Sequence, residues 1–285
     1  MSKKLKVAVG GINGRMGKSS AKVLLESDEF ELVGAFGKKA AHYVGMDVGQ
    51  LVGAASNGVL VSDSFEEILH TANKPDLVFE NSVADVSISI AKEALAAGVR
   101  PVTGTSGISE EALNELAAAA SKQKLGALAI PNFSIGAVLM MEFARQAGAY
   151  FSNVEIVEMH HTKKLDAPSG TAMHTVKKLA SANSHYNEKE VDEHELIKGS
   201  RGGEGLAGVR VHSLRLPGLI SHQEVIFGSP GELLTVRHDS FNMDCFLKGI
   251  LLSLKYVCTI DELQIGLDKV LGLGQKEKEC ASAKK

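Results

Sequence analysis

The chain has 285 residues, 44% of them hydrophobic, with 31 basic and 34 acidic side chains and a net charge of -3. That length accommodates one large domain or two ordinary ones, and the near-neutral balance excludes a global basic field that would draw the chain to nucleic acid. No apolar run reaches the roughly 20 residues of a bilayer span, and the N-terminus enters a strand without a signal-peptide core, so no membrane association is expected and the cytoplasm is the expected compartment.

Residues 6–9 read as a short apolar strand and residues 14–26 as the helix after it. Between them stands Gly11-Ile12-Asn13-Gly14-Arg15-Met16-Gly17, a G-x-x-G-x-x-G turn in which Asn13 occupies the usual middle-glycine position. Glycines here let the chain turn tightly and let a pyrophosphate approach a helix N-terminus, so Gly11 to Met16 are candidate nucleotide ligands. A second strand, 30–36, ends in Gly37-Lys38-Lys39 rather than in the acid that normally holds the adenosine ribose hydroxyls. Lys38 and its neighbour stand where a 2′-phosphate would lie, which favours NADPH while leaving NADH usable. Further strands at 76–79, 100–103 and 125–130 alternate with helices at 84–97 and 109–123. Such alternation implies an α/β, Rossmann-like, doubly wound parallel sheet.

The second half has a different rhythm. A long helix at 135–151 is followed by a strand at 154–160 and then by His160-His161-Thr162-Lys163-Lys164-Leu165-Asp166-Ala167-Pro168-Ser169-Gly170-Thr171, which leads into a helix at 172–180. Two histidines that can trade protons near neutral pH, two lysines and the N–H groups of a helix start together suit a small carboxylate substrate beside a proton donor. Three β runs at 209–216, 222–227 and 232–238, separated by Pro217-Gly218 and Ser229-Pro230-Gly231, imply an α+β unit with a mostly antiparallel or mixed sheet. A final apolar helix at 243–257 is expected to return to the first domain, and the charged tail 275–285 to fray. Cys245, Cys258 and Cys280 form neither a disulfide set nor a metal-ligand pattern, and no metal is expected. The expected domains are 1–132 for dinucleotide, 133–240 for substrate and oligomerisation, and 241–285 for the returning helix and tail.

Joined together, these motifs resemble the dihydrodipicolinate reductase family over nearly the whole chain. Gly14-Arg15-Met16-Gly17 is similar to the family's nucleotide loop. Gly104-Thr105-Ser106-Gly107 is similar to its segment against the nicotinamide, and Ile130-Pro131-Asn132-Phe133-Ser134 to the segment that closes over the cofactor. The His160-to-Thr171 stretch is similar to its signature. The resemblance implies an enzyme that reduces 4-hydroxy-tetrahydrodipicolinate with NAD(P)H, yielding tetrahydrodipicolinate and water in the diaminopimelate route to lysine. It implies His160 as proton donor, Lys164 as acid or substrate anchor, and His161, Ser169, Gly170 and Thr171 around a small dicarboxylate. It also implies a homotetramer joined through the second sheet. Three departures stand out: Glu80-Asn81-Ser82 where the family often has Asp-Phe-Thr/Ser, Gly37 in place of an acid, and Phe241-Asn242-Met243 where an arginine is common. The rival readings are a two-domain dehydrogenase of another carboxylate and a non-catalytic nucleotide sensor.

Overall fold

The computed structural model describes residues 3–188 and 191–273; the tail expected to fray, and Cys280 within it, lie outside the described residues. Two compact units form, one from the described residues up to Phe133 together with those from Phe246 onward, the other from Ser134–Cys245.

The first unit is built on strands β1 (Leu5–Val9), β2 (Phe30–Phe36), β3 (Val61–Ser62), β4 (Leu77–Glu80), β5 (Arg100–Thr103) and β6 (Ala127–Ala129), with helices α1 (Arg15–Leu25), α2 (Val48–Leu51), α3 (Phe65–Leu69), α4 (Ala84–Ala96) and α5 (Glu110–Gln123) between them. One more strand of the same sheet, Leu263–Ile265, joins at the far edge beside β6. All pairings in this sheet are parallel, and the order from β3 runs β2, β1, β4, β5, β6. Strand order therefore reverses between β1 and β4, the switch point where open α/β sheets leave a crevice for ligands. Continuous apolar runs such as Leu77-Val78-Phe79 are buried on both faces, as a parallel sheet covered by helices requires. Ser109 caps α5, its hydroxyl accepting from the Ala112 N–H at 3.2 Å, with Glu110 and Glu111 in the first turn.

The second unit carries α6 (Ile135–Gly148), β7 (Asn153–His160), α7 (Gly170–Ala182), β8 (Gly203–Glu204), β9 (Arg210–Arg215), β10 (Ser221–Ser229) and β11 (Glu232–Ser240). Its sheet runs β11-β10-β7-β9-β8 and is mixed: β7 pairs antiparallel with β10 and parallel with β9. Burial along β7 alternates, with Val154, Ile156, Glu158 and His160 on the inner face. Val154 and Ile156 pack with Val225 and Phe227 of the sheet and with Ala144, Val176 and Leu179 of α6 and α7. The inner face is thus apolar at one end and polar at the other.

After this sheet the chain returns to the first unit as α8 (Leu247–Tyr256), β12 (Leu263–Ile265) and α9 (Leu267–Val270). The α-helical part of the expected 243–257 helix begins only at Leu247, after a 3₁₀ turn at Met243–Phe246. The β3 and β12 strands and the short helices α2, α3 and α9 are too brief for hydrophobic periodicity to show. β10 and β11 form the hairpin that Ser229-Pro230-Gly231 implies, whereas Pro217-Gly218 carries the chain from β9 on one side of β7 to β10 on the other. Among the described residues, no helix is long and apolar enough to cross a membrane, and no group of three or more His, Cys, Asp or Glu could hold a metal ion.

Tyr186 ties the second unit's core together. It is 1% exposed, and its one hydroxyl hydrogen is shared between the main-chain carbonyls of Leu179 at 2.9 Å and Gly148 at 3.1 Å. Tyr186→Phe is expected to lower stability by about 1–3 kcal/mol, the cost of leaving buried acceptors short of a donor. An unchanged urea midpoint would show the hydroxyl to be dispensable.

Candidate functional site

In the first unit the nucleotide candidates gather at the C-terminal ends of the parallel strands. Gly11 has φ +63°, a conformation only glycine adopts without strain. Its N–H-rich turn closes through Gly14 N–H to Gly11 O at 2.9 Å. A Cβ on Gly17 would run into the Gly11 carbonyl, so the third glycine permits the close approach of helix and turn. Gly14 is the N-cap of α1 and supplies no side-chain bond, and no acid stands in the first turn. The helix start is therefore left with exposed donors and a partial positive charge, a cradle that fits a pyrophosphate. Asn13, Gly14 and Arg15 are exposed and Met16 is half-buried. Ile12 is fully buried, so its backbone alone faces the turn, and that N–H is spent on Phe36 O at 3.2 Å.

Around this turn stand the other expected ligands. Lys38 is exposed just past β2, with its N–H held by the Tyr43 hydroxyl at 2.9 Å. The Gly104 N–H donates to Glu80 O at 2.9 Å, the Thr105 hydroxyl to Ser82 O at 3.3 Å, and Ser106 is exposed. Gly104 lies in close packing: a Cβ would stand 2.6 Å from Asn81 Oδ1 and 2.7 Å from Phe133, so a side chain there would displace one of them. Past β6, Ile130 N–H donates to Thr103 O at 2.8 Å, Pro131 is exposed, Asn132 is half-buried, and Phe133 is buried edge-on against Phe79 with ring centroids 5.6 Å apart.

Sequence patterns gave no hint of how Glu80 is held. It is 0% exposed, with Oε1 accepting from the Ser82 N–H at 2.7 Å and Oε2 lacking a hydrogen-bond partner in the structure. Burial pushes its carboxyl up, against that hydrogen bond. A side chain on Gly10 would occupy the place of its Oε2, so the acid fills the space beneath the turn.

In the second unit the signature folds around Glu158. This residue is 0% exposed and stands two places before His160, hence on the same inner face. His160 Nδ1 lies 2.6 Å from Glu158 Oε2. Arg215, from the neighbouring β9, donates Nη1 to Oε2 at 3.0 Å and Nη2 to Oε1 at 2.7 Å, a bidentate fork. The Ser169 N–H adds a bond to Oε1 at 3.2 Å. Burial by itself would raise the Glu158 carboxyl, but bonds from His160, Arg215 and Ser213 outweigh it and hold it down at about 2.

Ser169 is the N-cap of α7; its hydroxyl accepts from the Ala172 N–H at 3.2 Å and the residue is 2% exposed. The hydroxyl expected on a carboxylate is therefore engaged in capping. Gly170 opens the helix into free space, since a Cβ there would meet nothing within 4 Å. Behind it, Gln223 Nε2 donates to the Thr175 hydroxyl at 2.7 Å, which donates to Thr171 O at 2.9 Å. His161 is half-buried, with its Nδ1 shielded and unpaired. Lys164 pairs with Asp166 at 2.8 Å, and that bond is the main cause holding the Asp166 carboxyl low. His160, His161, Lys164, Ser169 and Gly170 thus share one end of the second unit. Glu158 and Arg215 complete it and were missed as site residues; the available signal was the two-residue spacing of Glu158 and His160 in an alternating strand.

The depressed Glu158 carboxyl makes stability depend on pH. Its ordinary value is 4.5 and its folded value about 2, so the stabilisation is complete above about pH 4.5 and is lost as pH falls through the folded value. The difference is on the order of 3 kcal/mol. Urea titrations between pH 6 and 3 should show a steeper loss in the native chain than in Glu158→Gln, and parallel curves would remove Glu158 as the source.

Comparison with known proteins bears on both units. The family model described as "Dihydrodipicolinate reductase, N-terminus" matches residues 5–133, and the model for the C-terminus of the same family matches 136–271. A 4-hydroxy-tetrahydrodipicolinate reductase of Synechococcus elongatus is 41% identical over 95% of this chain and 100% of its own length. One from Listeria innocua is 43% identical over 94% and 100%. A dipicolinate-bound dihydrodipicolinate reductase from Paenisporosarcina sp. TG-14 superposes with TM-score 0.83 at 38% identity, covering 94% of this chain and 99% of that one. An amine dehydrogenase from Mycobacterium smegmatis, at 16% identity and TM-score 0.67, shares the fold.

Proposed function

The chain belongs to the dihydrodipicolinate reductase family, pyridine-nucleotide-dependent oxidoreductases of lysine biosynthesis, and on that premise we propose how its own residues carry the reduction of 4-hydroxy-tetrahydrodipicolinate. Residues up to 132 act as the dinucleotide domain and 133–240 as the substrate and oligomerisation domain. The Gly11-to-Met16 turn takes the pyrophosphate on the exposed start of α1. Gly104-Thr105-Ser106 and Ile130 to Phe133 flank the nicotinamide end, where Gly104 packs closely against Asn81 and the buried Phe133. The nicotinamide supplies the hydride.

Substrate binding falls to the α7 start. The N–H groups of Gly170 and Thr171, with His161 and Lys164, meet the carboxylates of a small dicarboxylate. The dipicolinate bound to the Paenisporosarcina relative supports that ligand class. His160 donates the proton, and Lys164 anchors a carboxylate and polarises the reacting ring. The observation that carries this reading is the placement of an imidazole and an ammonium beside a helix start whose first residue opens into free space.

The outer face of the second sheet supports assembly into a homotetramer. Val157, Met159, Leu214 and Ile226 are half-exposed there among ion pairs such as His222–Asp239 and His212–Glu155, both at 2.7 Å. Cys245 and Cys258 are free thiols, each raised by burial, which suits the reducing cytoplasm where we place the protein.

The reaction is tested by NADPH oxidation with freshly made hydroxytetrahydrodipicolinate; a chain that binds nucleotide but does not turn over would be a sensor. Lys164→Ala should lower kcat by about a hundred-fold or more, in the range of a lost electrostatic stabiliser of the reacting ring, while NADPH still binds. Near-native turnover would remove Lys164 from the site.

Cofactor choice follows from Lys38 and Lys39. The strand itself ends without a carboxylate, although Asp63 Oδ2 accepts from the Ala40 N–H at 3.2 Å beside the lysines; one charge-assisted contact from a lysine is worth about 1.5–3 kcal/mol, the low end applying to exposed lysines. NADPH is preferred modestly and NADH still serves. Alanine at both positions should weaken NADPH and leave NADH almost unchanged; equal losses would make these lysines ordinary surface charges.

A further inference from the structure

We propose that Glu158, clamped by Arg215, is a positioning residue that fixes His160 in its Nδ1–H tautomer and so makes Nε2 the atom that hands over the proton. The inference rests on His160 being the donor in the proposed reaction and adds which of its nitrogens acts and what selects it.

The argument starts from charge. Held in a two-bond fork by the Arg215 guanidinium, with a further bond from the Ser169 N–H, Glu158 is a carboxylate, and a carboxylate only accepts hydrogen bonds. At 2.6 Å from Glu158 Oε2, His160 Nδ1 must therefore carry the hydrogen. That leaves Nε2 as the nitrogen whose proton comes and goes. It has no hydrogen-bond partner among the described residues, on a side chain that is 11% exposed. When the reduction leaves a substrate atom electron-rich, the Nε2–H bond of the imidazolium breaks and the proton bonds to that atom. The bonding pair stays on Nε2, and the product is neutral imidazole, still bonded to Glu158 through Nδ1–H.

Arg215 is what makes this arrangement rigid. Besides the fork to Glu158, its Nη1 donates to Leu214 O at 2.7 Å and its Nη2 to Asp166 O at 2.8 Å. The carboxylate cannot rotate away from His160 without breaking the fork. The same carboxylate receives the Ser169 N–H at 3.2 Å, so one anion orients both the imidazole and the start of the substrate-binding helix. An imidazole free of such a partner could flip and present either nitrogen; here one face is fixed by a residue that touches no reacting atom.

The test is spectroscopic and kinetic. In the full-length protein labelled with ¹⁵N in the histidine rings, His160 is assigned by its disappearance in His160→Gln. Neutral His160 should show the Nδ1–H tautomer, and finding it as Nε2–H overturns the proposal without any further variant. Glu158→Gln should lose that signature and lower kcat by about 10- to 100-fold, the range for removal of a ligand's orienting partner, with the KM for NADPH unchanged. Glu158→Asp, which keeps a carboxylate, should keep the signature in part and recover part of the rate. A Glu158→Gln protein that keeps both signature and rate refutes the positioning role. Failure of the underlying reading looks different: His160→Gln would then turn over at the native rate, whatever Glu158→Gln does.

Discussion

A single buried carboxylate organises the second unit. Glu158 lies with no exposure at the polar end of a sheet face whose other end is packed with valine, isoleucine and phenylalanine, and an unpaired charge buried there would be costly. It is tolerated because every direction around it supplies a donor: His160 from its own strand, Arg215 and Ser213 from the next strand, and the Ser169 N–H from the helix cap. Each of those donors is in turn placed by the carboxylate. The strand, its parallel neighbour and the start of α7 are held in register by one group, and the residues that meet the substrate in the proposed reaction hang from those three pieces.

The glycine turn of the first unit is shaped by the opposite means. Nothing in the G-x-x-G-x-x-G turn is charged except Arg15, and the turn works through missing atoms: no Cβ at Gly11, Gly14 or Gly17, and no capping side chain at the helix start. What fills space there lies underneath. Glu80 occupies the volume that a side chain on Gly10 would need, and burial pushes its carboxyl up, in contrast to Glu158. The two acids are both fully buried, yet Glu158 receives bonds from His160, Arg215 and Ser213 while Glu80, among the described residues, receives them from Ser82 only, and their opposite shifts follow from that difference.

Much of this was legible from residues in order. Alternation of strand and helix pointed to the parallel sheet, and the glycine turn to the edge of it where the proposed nucleotide site lies. The run from His160 through Lys164 to Ser169 pointed to the polar end of the second sheet that the proposed reaction uses. What escaped was of two kinds. Val61–Ser62 and Leu263–Ile265 are too short for any period to emerge, though both extend the sheet. Arg215 stands 57 positions from Glu158, and only the parallel pairing of β7 with β9, with His160 opposite Arg215, brings it there. Pro217-Gly218 is legible as a turn, but that the chain there crosses to the far side of β7 depends on long-range pairing which local patterns do not encode.

The ion pair between Lys164 and Asp166 has a bearing on selectivity. Before any substrate arrives, that ammonium already has an anion of its own at 2.8 Å. In the proposed reaction a carboxylate arriving at Lys164 shares an ammonium whose charge is already partly met by Asp166, so it gains less there than from an unpaired cation. On that reading a solute with one negative charge gains little, whereas a rigid ring bearing two charges also draws on the helix start, and discrimination against small monoacids needs no steric barrier.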